Sequence, residues 1–290
     1  MSTTQSTTSS NGEFTSWRGF EMSDLPEMPS WIEPLGRAGY IAKGLVYFII
    51  GLLAFKLAIG AGGQISGSRE AIEEIGQQPF GRILLGLLAI GLVGYTAWRW
   101  VQAVKDTEGN GDDAKGILKR VGYAISGLGY LALGWFAASQ SLGFGTSGGS
   151  SGGSTGSLLD SSWGRVVLGI AGAITIGVGC YFVYKAYKAK FMGQYNLAKM
   201  STTMRSVALH AGRMGLSTRG IAFAIIGGFI LMSAVRGTAD GEIAGMSDAL
   251  AAIASQSYGK FLLGTAGFGL MCYAVHSFLL GWFRHFNISR

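Results

Sequence analysis

Arg37-Ala38-Gly39-Tyr40-Ile41-Ala42-Lys43-Gly44-Leu45-Val46-Tyr47-Phe48-Ile49-Ile50-Gly51 decides the fold, because the chain writes the same frame twice more. The frame is Arg, one residue, Gly, four residues, Gly, an aliphatic, one residue, an aromatic, three residues, Gly. It recurs as Arg120-Gly122-Gly127-Leu128-Tyr130-Gly134 and as Arg213-Gly215-Gly220-Ile221-Phe223-Gly227. A second frame follows in each copy: aromatic, Gly, basic, two apolar residues, Leu, Gly. It reads Phe80-Gly81-Arg82 to Leu85-Gly86, Trp163-Gly164-Arg165 to Leu168-Gly169, and Tyr258-Gly259-Lys260 to Leu263-Gly264. The two basic residues stand 45 apart in copies one and two and 47 apart in copy three. A register held this closely marks a triplicated unit of about 75 residues.

Each unit carries two apolar runs. They lie near 40–60, 82–102, 122–142, 165–187, 217–236 and 261–283. About 20 helical residues cross a hydrocarbon core, so all six runs are long enough. Composition agrees. Charged residues are 13% of the chain, against roughly 25% in soluble domains. Gly is 48 of 290 residues, and small residues let membrane helices approach closely. The runs are continuous and do not alternate, which excludes a β-barrel. The fold class is therefore all-α: a polytopic membrane protein with six transmembrane helices in three hairpins. An even number of spans per repeat makes all repeats run the same way. Their expected relation is a pseudo-threefold rotation about the membrane normal. The domain reading is a disordered polar tail at 1–34 and repeats at 35–106, 118–190 and 211–286. The tail lacks the basic and apolar regions of a signal peptide.

Charge gives an orientation. All 16 Asp and Glu fall outside the runs. Of the Lys and Arg, 17 lie in the tail, in the segments after runs two, four and six, or at the adjacent run ends; five flank the hairpin loops. By the positive-inside rule both termini are expected in the cytoplasm of a bacterial cytoplasmic (inner) membrane. The net charge of +7 is then a topology signal, and its dispersal gives no expectation of nucleic acid as a partner. The lipid bilayer is the expected partner, with other membrane proteins after it. Two outer loops, Ser68–Gln77 and Ser247–Ser255, read as short amphipathic helices. The third, Gly145–Ser157, reads as a flexible tether.

Gly44, Tyr47 and Gly51 share one helix face, and so do their counterparts in the other copies. Ala89, Gly172 and Gly267 sit at matching offsets on the second helices, as do Gly94, Gly177 and Cys272. Each hairpin is expected to zip along these faces. Arg37, Arg120 and Arg213 open the first helices. Arg82, Arg165 and Lys260 open the second helices beside an aromatic. A basic residue with an aromatic at a span boundary reads as interfacial anchoring. The sharper reading of these six residues is a lipid-headgroup or anionic-ligand site. Besides Arg82, Arg165 and Arg236 at the run boundaries, five cations touch the runs: Lys43, Arg99, Lys185 and Arg219 near run ends, and Lys56 deeper but toward the outer end, where it can snorkel. His276 takes the place of Trp98 and Tyr181 and reads as a hydrogen-bonded packing residue. Cys180 and Cys272 read as small apolar residues within spans.

No Ser-His-Asp grouping, HExxH, phosphate loop or intramembrane carboxylate pair appears in the sequence. The expectation is no catalytic residue, no metal and no cofactor. The leading function is a non-enzymatic scaffold or a partner- or lipid-binding protein. The alternative is a small channel or carrier along the pseudo-threefold axis.

At the repeated residues the chain resembles a bacterial membrane family, domain-of-unknown-function family 1206. Its members carry three tandem two-helix units with this Arg-x-Gly opening and the aromatic-Gly-Arg start of the second helix. The resemblance covers about residues 31–286. Copy one fits best, through Gln78-Pro79-Phe80-Gly81-Arg82. Copies two and three lack the Pro, and copy three has Lys260 for Arg. The resemblance implies an integral membrane protein and no particular activity.

Overall fold

The computed structural model describes residues 32–105, 107, 113–144, 162–236 and 245–285. Most of the expected tail and all of the Gly145–Ser157 tether lie outside the described residues. Residues 32–34, read as tail, instead open the first helix. Among the described residues the structure is all-helical, with eight α-helices. They are α1 (Ile32–Ala58), α2 (Ser68–Gly76), α3 (Gly81–Lys105), α4 (Ala114–Leu142), α5 (Ser162–Tyr187), α6 (Thr202–Arg236), α7 (Met246–Ala254) and α8 (Gly259–Phe283). Six of them, α1, α3, α4, α5, α6 and α8, are long and apolar enough to cross a membrane. Each expected run falls on one of these. At 35 residues, α6 is about 52 Å long, more than a hydrocarbon core of about 30 Å requires. Its first turns extend beyond the span.

Local signals set several ends. The Asp113 side chain accepts from Gly116 N at 2.8 Å and caps α4, filling one of the donors that a helix start leaves open. Gly143 closes α4 at φ +74°, a conformation glycine adopts cheaply. The short helices α2 and α7 start alike. Glu70 accepts from Gly67 N at 2.9 Å, and Asp248 accepts from Gly245 N at 2.6 Å. The amphipathic reading of both loops holds: Ala71, Ile72 and Ile75 of α2 are buried, as are Ala249 and Leu250 of α7.

The spans pack in a different order from the one the sequence suggests. The three most extensive pairings are α5 with α6, α1 with α8, and α3 with α4. Each joins the second helix of one repeat to the first helix of another. The faces carrying Gly51, Gly172, Gly220, Gly227 and Gly267 are used, but they close between hairpins; of the other expected positions, Gly94 packs on Leu35 within its own hairpin and Gly177 meets nothing within 4 Å. A methyl built on Gly51 would lie 2.6 Å from the Gly267 carbonyl, and one on Gly227 would lie 2.7 Å from the Gly172 carbonyl. Gly220 meets Gly179 in the same way, at 2.6 Å. Only backbone-to-backbone contact leaves so little room.

Packing inside the hairpins uses a second set of glycines, and repeat two lacks it. A methyl on Gly39 would sit 2.5 Å from Tyr95 N, and one on Gly215 would sit 2.5 Å from Tyr273 N. These contacts join α1 to α3 and α6 to α8. In repeat two, Gly122, Gly129 and Gly177 face open space, and α4 and α5 barely touch among the described residues. A seam therefore runs between α4 and α5.

The segment 188–201 folds back onto the bundle. It contains two short 3-10 turns, Lys190–Gln194 and Leu197–Lys199. Phe191, Tyr195 and Met200 are buried. Asn196 N donates to Phe283 O at 2.7 Å, and His285 N donates to Gln194 O at 3.1 Å. Arg205 donates to Leu197 O at 2.6 Å and to Met200 O at 3.2 Å. The end of the bundle beneath this segment is termed the linker face.

Candidate functional site

Lys43 on α1 and Arg219 on α6 occupy one register position: each lies six residues past the Arg that opens its repeat. Ser126 on α4 holds the third place. Both cations are buried, at 3% and 8% exposure. The Lys43 ammonium donates to Tyr95 Oη at 3.2 Å. It lies 4.9 to 5.9 Å from the ring centres of Tyr273, Tyr95, Tyr40 and Tyr130. The Arg219 guanidinium lies 4.8 to 5.3 Å from Tyr273, Phe223, Phe182 and Tyr47, and it donates to Tyr273 Oη. These rings come from all six spans, and the two cations share Tyr273.

Two more arginines extend the cluster. Arg284, 5% exposed, donates to Tyr40 Oη at 2.5 Å and stacks on Trp98. Arg99 lies 5.0 Å from the Tyr95 ring and 5.1 Å from the Tyr123 ring. The rings interlock edge to face: Tyr95 with Tyr130 at 4.6 Å, Tyr47 with Tyr273 at 4.8 Å, and Tyr40 with Tyr95 at 5.1 Å.

Ring faces stabilise a desolvated cation by about 2 kcal/mol or more. That does not offset the cost of taking a charge out of water. The charges also repel one another: Lys43 lies in the field of Arg219, Arg99 and Arg284. Among the described residues no Asp or Glu is buried, and the single ion pair, Arg37 with Glu33, lies elsewhere. The Nε atoms of Arg99 and Arg219 are buried without a hydrogen-bond partner among the described residues. Tyr95 and Tyr273 accept from the cations, so each keeps a phenolic hydrogen to donate. Cations, open N–H groups and phenol donors are the kinds of group that hydrogen-bond an anion.

His276 sits between the cluster and the linker segment. Its Nδ1 is 2.7 Å from Tyr195 Oη, and its ring meets Phe191 at 5.2 Å. The hydrogen-bonded reading of His276 fits this contact. Its partner is a loop tyrosine that sequence spacing does not reveal.

The six residues singled out from the sequence do not converge. Arg37 donates to Gly281 O at 3.1 Å and to Trp282 O at 2.7 Å, at the end of α8. Arg120 does the same to Ala103 O at 2.6 Å and Val104 O at 2.8 Å, at the end of α3. Both caps meet carbonyls that a helix end leaves open, at the negative pole of its dipole. Each ties one repeat to its neighbour. Arg213 is exposed. Arg82, Arg165 and Lys260 are exposed at the opposite end of the bundle, beside exposed Phe80, Trp163 and Tyr258. Lys56, the cation read as deepest, is exposed in the last turn of α1. The deep cations are Lys43 and Arg219. Their shared distance from the repeat Arg was the signal that could have found them.

Comparison with known proteins fits the three units. The family model described as Domain of Unknown Function (DUF1206) matches residues 38–106, 121–189 and 214–284. The chain belongs to the DUF1206 family. A similar protein, Uncharacterized protein YxxB of Bacillus subtilis (strain 168), is 33% identical over 259 residues, covering 89% of this chain and 94% of its own length. No solved structure matches. The buried cations Lys43, Arg219 and Arg284 and the half-buried Arg99 all fall inside the DUF1206 segments.

Proposed function

We propose that this protein is a non-enzymatic binding protein of the bacterial cytoplasmic membrane, and that its ligand is an anion held in the cation–tyrosine cluster. The observation that carries the reading is the burial of Lys43 and Arg219 with no buried acid among the described residues. Charges left in a low-dielectric core without counter-charge mark function more often than architecture. The 17 basic residues of the tail, of the segments after runs two, four and six and of the adjacent run ends put the linker face in the cytoplasm in this reading.

The runner-up is a small carrier or channel for anions. It is favoured by the placing of Lys43 and Arg219 at one level of two repeats. The interlocked rings of Tyr47, Tyr95, Tyr130 and Tyr273 weigh against an open path and favour binding.

The test is native mass spectrometry of protein extracted in mild detergent. Wild type should retain an anionic species that a Lys43→Met, Arg219→Met double variant loses. Equal occupancy in both would sink the binding reading. Anion flux in liposomes that Lys43→Met abolishes would put the carrier in its place.

A further inference from the structure

Resting on that reading, we infer that the anion is the phosphate of an anionic phospholipid, and that it reaches the cluster sideways through the seam between α4 and α5. Three observations converge. The first is depth. Lys43, Ser126 and Arg219 each lie six residues past the repeat Arg, about 9 Å along the helix. With the repeat Arg at the interface, as a basic residue at a span boundary implies, this puts the cations just below a headgroup layer of roughly 5–8 Å.

The second is the shape of the seam. Gly122 and Gly129 on α4 and Gly177 on α5 face open space. Gly39 and Gly215, the counterparts of Gly122, press on Tyr95 and Tyr273. The bundle is therefore open in repeat two and closed at the same depth in repeats one and three. Ser126 is a small residue in this opening, where the other repeats place a long cation. Tyr130 of α4 and Phe182 of α5 carry the cluster to the two edges of the seam, beside Lys43 and Arg219 respectively.

The third is access. A water-borne anion would approach from the linker face, where Phe191, Tyr195 and Met200 are buried against the bundle. The seam instead opens onto lipid. Charge complementarity names the occupant: a cluster of cations with no buried acid among the described residues suits an anionic headgroup and rejects a zwitterionic one. Basic pockets between spans bind acidic lipid headgroups in this way.

The experiment titrates detergent-solubilised protein with phosphatidylglycerol, phosphatidylcholine or inorganic phosphate. Thermal midpoint and lipid retention in native mass spectrometry are read together. Phosphatidylglycerol should be retained at least tenfold over phosphatidylcholine, and Lys43→Met should remove the preference. Gly177→Leu fills open space, so its ligand-free midpoint should match wild type while its affinity for phosphatidylglycerol falls at least tenfold. Stabilisation by inorganic phosphate through Lys43, with no preference for phosphatidylglycerol, would overturn the lipid and leave the anion reading standing. Undiminished phosphatidylglycerol binding by Gly177→Leu would overturn the seam as the route. No effect of either phosphatidylglycerol or phosphate would overturn both the inference and the function it rests on.

Discussion

Replacing Lys43 with Met should raise the thermal midpoint of the ligand-free protein while abolishing anion retention. The ammonium is buried among like charges, and an apolar side chain of similar length removes both desolvation and repulsion. Each kcal/mol recovered should appear as roughly 2–4 °C. A lowered midpoint in differential scanning fluorimetry would show that Lys43 holds the aromatic cage together and is not a cost carried for binding. The sequence placed this residue at the end of a run because hydropathy centred the run on 40–60. The helix begins at Ile32, so Lys43 lies about 16 Å along it. An apolar window reports where hydrocarbon is densest; it does not report how much helix precedes it. Lys56, toward the outer end of the same span, is exposed, as a snorkelling side chain is.

Within the helices, two adjacent glycines give a sharp comparison. A methyl on Gly227 would press on the Gly172 carbonyl and on Ile176 N, both at 2.7 Å, while one on Gly228 would meet nothing within 4 Å. Gly227→Ala should cost about 1–3 kcal/mol through overpacking. Gly228→Ala should be neutral, or stabilising by up to about 1 kcal/mol from helix propensity. Equal midpoints for the two variants would refute the notch at Gly227. The sequence showed which faces carry these notches, because period and residue size are local properties. It did not show their partners. Residues 59–80 separate α1 from α3, and a connection that long, with α2 inside it, does not force its two helices to be the closest pair. The linker segment adds a pH dependence. Burial raises the Tyr195 pKa, Arg284 opposes that rise, and Tyr40 and Tyr273 add to it. A raised pKa means the folded linker favours the protonated phenol. Its contribution is intact below the usual tyrosine value of about 10 and is lost as pH climbs above it. The thermal midpoint should therefore fall as pH climbs above about 10, and Tyr195→Phe should make that fall shallower.

At the scale of the whole molecule the sequence was most legible. Three repeats, six long apolar helices and two short helices in the loops between them follow from periodicity and length, and the structure contains them. The unequal packing of repeat two was not legible, because its helices carry the same glycine frame as the others. What differs is the opposing surface: Val178 stands on α5 where Tyr95 and Tyr273 stand on α3 and α8. Orientation can be tested at two positions outside the described residues. Cys introduced at Ser150 should react with an impermeant thiol reagent in intact cells, and Cys at Asp112 only after lysis. The reverse pattern would turn the molecule over and move the lipid site to the other leaflet. The pairing of α1 with α8 also bears on synthesis. The ribosome makes α1 first and α8 last, yet each is the other's main partner. Until the final span leaves the insertion machinery, the Gly44–Gly51 face has no protein to cover it. The five spans made before α8 therefore stay open to quality-control proteases until α8 joins them.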